Sequence, residues 1–411
     1  MTDWPLRTLG ELCLQMTVGF VGKMADQYVD SGVPFLRSQD IMAGRIDVSR
    51  LKYISPEFHA RIRKSRLVPG DVGIVRTGYP GTAAVVPETL REANCSDLVI
   101  ARTGPDLDPR YLAFLLNSPW GKSMIRGRLV GAAQQHFNVK VAHALQVPTP
   151  PIEEQRRVAS ILGAYDDLIE VNRLRVAVVE EMARGLFEEW FVRFRFPGHE
   201  GVAVVDTPAG PLPQGWAWKP FSTLARFANG FAFKPSDFQS DGLPIVKIPE
   251  LKAGVLSKTP RNSGRDVPAH LHLQTGDLLF SWSGTFAISE WTWGDALLNQ
   301  HLFLVTPTGA LSRGFIKQAL IHALPRFDSQ GVGATMKHIR RAALDTTYVP
   351  IPTHIGLISQ ANVLLQSCYD QTVVIKRQGQ ALGASRDLLL SRLISGQLSV
   401  SAAERQLEEA A

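Results

Sequence analysis

The chain states one pattern twice. Gly32-Val33-Pro34-Phe35-Leu36, with Gly44 after it, returns 210 residues later as Gly242-Leu243-Pro244-Ile245-Val246 with Gly254. Pro69-Gly70-Asp71-Val72 and Gly78 return at an offset of 206 as Thr275-Gly276-Asp277-Leu278 and Gly284. Gly131-Ala132, His136-Phe137 and Val147-Pro148-Thr149-Pro150 return at an offset of 202 as Gly333-Ala334, His338-Ile339 and Val349-Pro350-Ile351-Pro352. Blocks that keep their order and drift by a few residues mark a duplicated domain with altered loop lengths, not a solenoid of short units. Such a chain must fold as two copies of one architecture. Two similar domains on one chain suggest two similar targets held at a fixed separation.

Within each copy the local signals agree. Short apolar runs such as Val72-Gly73-Ile74-Val75 and Leu98-Val99-Ile100-Ala101, broken by Gly, Pro and Asp, read as short strands and turns. Tyr111, Leu112, Leu115 and Leu116 make the apolar face of a helix over 108–118, with Phe315, Ile316, Ala319 and Leu320 as its counterpart. Pro148, Pro150 and Pro151 then close the first copy, because proline fixes its own backbone and biases its predecessor away from helix.

From Ile152 to about Phe194 no proline occurs. Ile161, Tyr165, Leu168, Asn172, Val176, Val179, Ala183, Leu186 and Trp190 recur at steps of three and four. They form one stripe on a helix of roughly 40 residues, about 60 Å long at 1.5 Å per residue. Charged residues such as Glu153, Glu170 and Arg173 occupy the far side. Asn172 either fixes register inside the stripe or marks where it meets solvent. After Pro352 a second stripe runs from Ile358, Ala361 and Leu365 to Leu389 and Leu393, weakened at Thr372, Gly379 and Arg386. A lone helix this long exposes its apolar face and needs a partner, so the two long helices are expected to pack on each other.

The expected fold class is α+β: two homologous mixed α/β domains separated by two long helices that pair as an antiparallel coiled coil, with internal pseudo-two-fold symmetry. The boundaries expected are a first domain at 1–150, a long helix at 151–196 and a linker at 197–212. A second domain follows at 213–352, then a second long helix at 353–400 and a tail at 401–411. The helix pair would act as a ruler between two reading heads.

The sequence carries no complete catalytic motif. Trp120-Gly121-Lys122-Ser123 has the tail of a phosphate-binding loop, but Leu116 stands where the leading glycine is required. His270 and His272 lack a third metal ligand nearby. No nucleophile elbow and no glycine-rich cofactor loop is present, and Asp71 and Asp277 read as turn formers. The expectation is no metal and no cofactor in this chain. Its net charge of +6 favours an acidic partner such as nucleic acid. Three scattered cysteines and the lack of any long apolar run suggest a reduced, cytoplasmic, non-membrane setting.

The Pro213-Gln214-Gly215-Trp216 opening and the paired Pro-x-Pro closings carry a resemblance. So do Pro150-Pro151-Ile152-Glu153-Glu154-Gln155 and Trp190-Phe191-Val192-Arg193-Phe194-Arg195-Phe196-Pro197-Gly198-His199. Over nearly its whole length the chain resembles the DNA-specificity subunit of type I restriction–modification systems. That resemblance implies two target-recognition domains, each reading one half of a split double-stranded DNA site. It implies helices that space the domains and dock two methyltransferase subunits, and a motor-nuclease subunit for cleavage. S-adenosylmethionine would be bound by the methyltransferase partner, leaving this chain non-catalytic. The second long helix carries Ile355-Gly356-Leu357 where the first has Glu153-Glu154-Gln155, so its cap or its partner contact is expected to differ. The alternative is a protein-interaction scaffold of this family that does not read DNA.

Residues beside the repeated landmarks that differ between copies are where specificity can reside, with Lys and Arg supplying phosphate contacts. In the first domain these are Lys23, Arg37, Ser38, Gln39, Arg76, Tyr79, Gln134, Gln135 and His136. In the second they are Lys234, Lys247, Trp282, Ser283, Thr335, Lys337 and His338. His136 and His338 share a position, so a common structural role is as open as base contact. Glu153, Glu154, Gln155 and Arg156 are the expected partner-binding residues at the start of the first long helix.

Overall fold

The computed structural model describes residues 4–128, 136–331, 338–395 and 397–410. Its contacts divide the chain into two compact units, residues 1–169 with 381–411, and residues 170–380.

In the first unit an antiparallel sheet runs in the order Ala83–Val85, Val72–Val75, Leu98–Thr103, Cys13–Val18. Val72–Val75 is buried at every position, which is why it reads as a continuous apolar run. A second sheet runs Tyr28–Val29, Lys52–Ile54, Val33–Leu36, Ala93–Cys95, Arg66–Leu67, with Val33–Leu36 and Ala93–Cys95 parallel. Strand Leu6–Thr8 pairs with Gln146–Pro148, so the domain opens and closes on one ladder. The predicted helix is Pro109–Asn117. Asp108 caps it by accepting from the amides of Arg110 and Tyr111, and Pro109 sits where a helix needs no amide. Its Tyr111, Leu112, Leu115 and Leu116 are buried, as the periodicity predicts.

The second unit repeats the first sheet strand for strand and the second sheet with four strands in place of five. Its first sheet runs Ala287–Glu290, Leu278–Ser281, Leu302–Pro307, Ala225–Asn229. Its second runs Arg261–Asn262, Leu243–Val246, Ala296–Leu298, His272–Leu273, again with one parallel pair, Leu243–Val246 with Ala296–Leu298. Trp216–Pro220 pairs with Tyr348–Pro352 as the closing ladder. Both Gly-Asp turns keep their chemistry. Asp71 accepts from the Val68 amide at 3.0 Å and Asp277 from the Gln274 amide at 2.8 Å. Arg102 and Arg313 neutralise these buried carboxylates. Trp120-Gly121-Lys122-Ser123 lies inside helix Pro119–Arg126, with Gly121 pressed on the backbone of Leu115 and Leu116, so it is not a phosphate loop.

The first long helix spans Ile152–Phe187 and ends in a π turn at Glu188–Val192; the second spans Ile355–Ser395. The residues set aside as a tail continue as helix Val400–Ala410. In the first unit Val158, Ala159, Ile161 and Leu162 pack with Leu390, Leu393, Ile394, Leu398 and Val400. Arg157 meets Glu404 and Asp166 meets Arg386, which makes the two helices antiparallel there. In the second unit Ala183, Phe187 and Phe191 share a core with Ile358, Ala361, Leu365, Tyr369 and Val373. Asn172 is buried, so it belongs to the stripe rather than to its edge. Thr372 is buried too and donates to the Cys368 carbonyl at 2.9 Å, which satisfies its hydroxyl within the helix. Leu168, by contrast, is 52% exposed, beside a second apolar line of Val171, Leu174, Val178 and Met182.

A buried charge cluster fastens the second unit. Glu290 receives Lys317 at 2.9 Å and Lys376 at 2.7 Å, and both ammonium groups lie 3.1 Å from Glu180. Burial alone would raise the Glu290 pKa, but the two ammonium groups overcome it and hold it at about 2.

Candidate nucleic-acid interface

In the first unit the hydrogen bonds gather several predicted loops around one residue that sequence reasoning missed, Asp97. Ser38 Oγ donates to both the backbone oxygen and Oδ2 of Asp97 at 3.0 Å, and Thr77 Oγ1 donates to Oδ2. The Arg76 amide donates to the Asp97 carbonyl at 3.4 Å, and its Nη1 lies 3.9 Å from Oδ1. Phe137 donates to the Arg76 carbonyl at 3.0 Å, which brings His136 alongside. Gly19 and Phe20 donate to Leu98 and Cys95, so the loop that carries Lys23 leaves from the same edge.

The second unit builds the same edge with other side chains. Gly230 and Phe231 donate to Leu302 and Leu298, repeating Gly19 and Phe20. Ile339 donates to the Trp282 carbonyl at 2.9 Å, repeating Phe137 on Arg76, and Ser283 bridges to His338. The shared histidine position is therefore a shared backbone position. Where the first unit has Ser96-Asp97, the second has Asn299-Gln300-His301, with Trp282 tilted over His301 at 6.2 Å. In the second copy the Gly-Phe step requires its glycine: a Cβ on Gly230 would sit 2.3 Å from the Asn299 oxygen.

The predicted residues separate by what they touch. Tyr79 and Lys23 stand out in solvent, at 78% and 80% exposure, with Asp26 3.4 Å from Lys23. Gln39 and Lys234 are exposed as well. Arg37 is held instead by Asp40, through Nε at 2.9 Å and Nη2 at 2.8 Å, and also donates to the Arg50 carbonyl. Lys247 lies with Nζ 4.3 Å from the centre of the Phe238 ring. Its amide donates to Glu250 as the Arg37 amide does to Asp40, so both positions anchor the same short helical turn. Ser283 is buried. Gln134, Gln135, Thr335 and Lys337 lie outside the described residues.

At the first long helix Glu153 and Arg156 are exposed and paired at 2.6 Å, with Glu154 half-buried. Gln155 corrects the expectation of a partner contact, because it is fully buried. Its Oε1 accepts from the Asp108 amide, and its Nε2 donates to the carbonyls of Asp106 and Pro150. The second helix supplies the same lock further along: Asn362 accepts from the Ser312 amide at 2.9 Å and donates to the Ala310 carbonyl. The glutamine is replaced rather than lost.

Asp97, Thr77 and the Asn299–His301 turn had a readable signal. Asp97 and the Asn299–His301 turn each lie between two apolar runs, Ala93-Asn94-Cys95 and Leu98-Val99, Ala296-Leu297-Leu298 and Leu302-Phe303, and Thr77 directly follows the run Val72–Val75 and Arg76. Among the described residues no group of three His, Cys, Asp or Glu could hold a metal ion. No described helix is long and apolar enough to cross a membrane.

The class the fold defines is that of duplicated α+β domains whose matched edges carry different side chains. Residues 1–181 match the family model described as the type I restriction modification DNA specificity domain. Along its length the chain is similar to specificity subunits of type I restriction enzymes. The MjaIX specificity subunit of Methanocaldococcus jannaschii is 22% identical, covering 97% of this chain and 94% of that one. The HindI specificity subunit of Haemophilus influenzae is 21% identical, covering 97% of this chain and all of that one. The crystal structure of the type I restriction–modification S subunit from M. genitalium shares the fold, with a TM-score of 0.52 at 15% identity over 95% of this chain and 96% of that one.

Proposed function

We infer that this chain is the non-catalytic specificity subunit of a type I restriction–modification complex. It reads a bipartite, asymmetric site on double-stranded DNA, one half-site per domain. It docks two methyltransferase subunits, which bring S-adenosylmethionine, and a motor-nuclease subunit joins for cleavage. The work is done in the cytoplasm, where the DNA is.

One observation carries the reading: a single backbone framework is built twice, and the side chains on its matched edges differ. Asp97 and Arg76 occupy one edge; Asn299, Gln300, His301 and Trp282 occupy the other. A recognition surface needs a fixed frame with variable donors and acceptors, because base identity is read as a hydrogen-bond pattern. Lys23 and Lys234 are exposed cations that would meet phosphates, a contact that gives affinity without sequence.

The test is a map of methylated adenines in cells that express this chain with its methyltransferase, with and without the gene. A split, asymmetric motif that disappears with the gene is expected. An unchanged map, with the methyltransferase present and folded, would leave the scaffold reading.

A further inference from the structure

We propose that Asp97 and Arg76 together read one G·C base pair of the first half-site through the major groove. The proposal rests on the DNA-reading function inferred above.

Asp97 is held in a left-handed conformation, φ +55°, which it shares among described non-glycine residues only with Phe194. Backbone of this kind costs a non-glycine residue about 1 kcal/mol or more and persists where the surroundings impose it. Here the surroundings are Ser38 and Thr77, which both occupy Oδ2 and so fix the carboxylate plane. Oδ1 lies 3.9 Å from Arg76 Nη1, and the side chain is 40% exposed. Arg76 in turn has its Nε buried without a hydrogen-bond partner. The edge therefore presents a fixed acceptor beside a guanidinium whose bonding is incomplete.

A carboxylate facing DNA is repelled by phosphates unless it meets a base donor. In the major groove the donors are the amino groups of cytosine and adenine. A G·C pair offers the guanine acceptors N7 and O6 next to the cytosine N4 donor, matching a guanidinium next to a carboxylate. An A·T pair offers no two adjacent acceptors for the guanidinium, because the adenine amino group stands between N7 and the thymine O4. The matched position of the second unit has Trp282 for Arg76 and Asn299-Gln300-His301 for Ser96-Asp97, so this pairing is confined to the first half-site.

The experiment uses the full complex with its methyltransferase, carrying Asp97→Ala, Asp97→Gly or Arg76→Ala. It reads the methylated motif in cells and the relative binding of duplexes substituted at each base pair. Both Asp97 variants are expected to relax one G·C pair of the first half-site. Discrimination there falls roughly ten- to a hundredfold, and the second half-site is unchanged. Arg76→Ala should relax the same pair. Glycine tolerates the left-handed backbone, so Asp97→Gly keeps the test valid if Asp97→Ala lowers the melting temperature. Variants that methylate an unaltered motif, or that weaken binding equally to all sequences, overturn the proposal while leaving DNA reading intact. A wild-type complex without any motif dependent on this chain overturns the DNA-reading function, and this proposal with it.

Discussion

Glu290 shows how single residues hold this fold. Its carboxylate is sealed from solvent and held ionised by Lys317 and Lys376, with a pKa of about 2 against an ordinary 4.5. A depressed carboxylate pKa contributes stability that is fully present above the unfolded value and is lost as pH falls through the folded one. The second unit should therefore weaken between about pH 4.5 and pH 2, by roughly 3 kcal/mol in all. Glu290→Gln should remove that pH-dependent part and lower stability near neutrality as well. Acid titration followed by fluorescence of the buried Trp291 reads both, and an unaltered slope in the variant would refute the assignment. The glycines of the shared Gly-Phe step make a second case. A Cβ on Gly230 meets backbone at 2.3 Å, whereas one on Gly19 meets it at 3.0 Å. Gly230→Ala should cost about 1–3 kcal/mol and Gly19→Ala less, by thermal melting. The sequence offered no sign of Glu290, because a buried carboxylate is intelligible only once its two distant lysine partners are known.

Among the elements, the long helices were legible and their contacts less so. Absence of proline and the spacing of apolar residues placed both helices to within a few residues. They could not choose between two apolar lines on the first helix, because Leu168, Val171, Leu174, Val178 and Met182 recur with the same steps as the buried line. The lock at each helix start was hidden for another reason. Matching by position sets Gln155 against Leu357, but the side chain that does the same work is Asn362. The second helix simply begins further before its lock. Gln155→Ala and Asn362→Ala should each cost about 1–3 kcal/mol by leaving buried amides and carbonyls unsatisfied. Hydrogen exchange should quicken at the Asp108 amide in the first and at the Ser312 amide in the second. Protection unchanged at both would mean the two locks carry no load.

At the scale of the whole chain, duplication was the legible fact, since turns and closing prolines must recur wherever the backbone does. What each copy recognises was not legible. Of the residues chosen beside the landmarks, Arg37 is spent on Asp40 and Ser283 is buried, while Asp97 was passed over. Landmarks locate loops, but only the folded pairing of strands says which loops meet. Two edges with unlike side chains should recognise unlike half-sites, so a perfectly palindromic methylated motif would contradict the reading. The border between the two units falls inside both long helices. Lengthening the first helix by one or two turns should therefore widen the gap between half-sites and leave each half-site as it was, in the same methylation map.

The closing ladders bear on how such a protein changes over generations. Leu6–Thr8 lies against Gln146–Pro148, and Trp216–Pro220 against Tyr348–Pro352, so each domain leaves the chain where it joined it. A gene segment with such borders behaves as a cassette. It can be exchanged by recombination, between relatives or between the two halves of one gene, while its seat on the helices stays intact. A cell could then acquire a new half-site in one exchange, with a crossover at each border, rather than by the slow accumulation of point mutations.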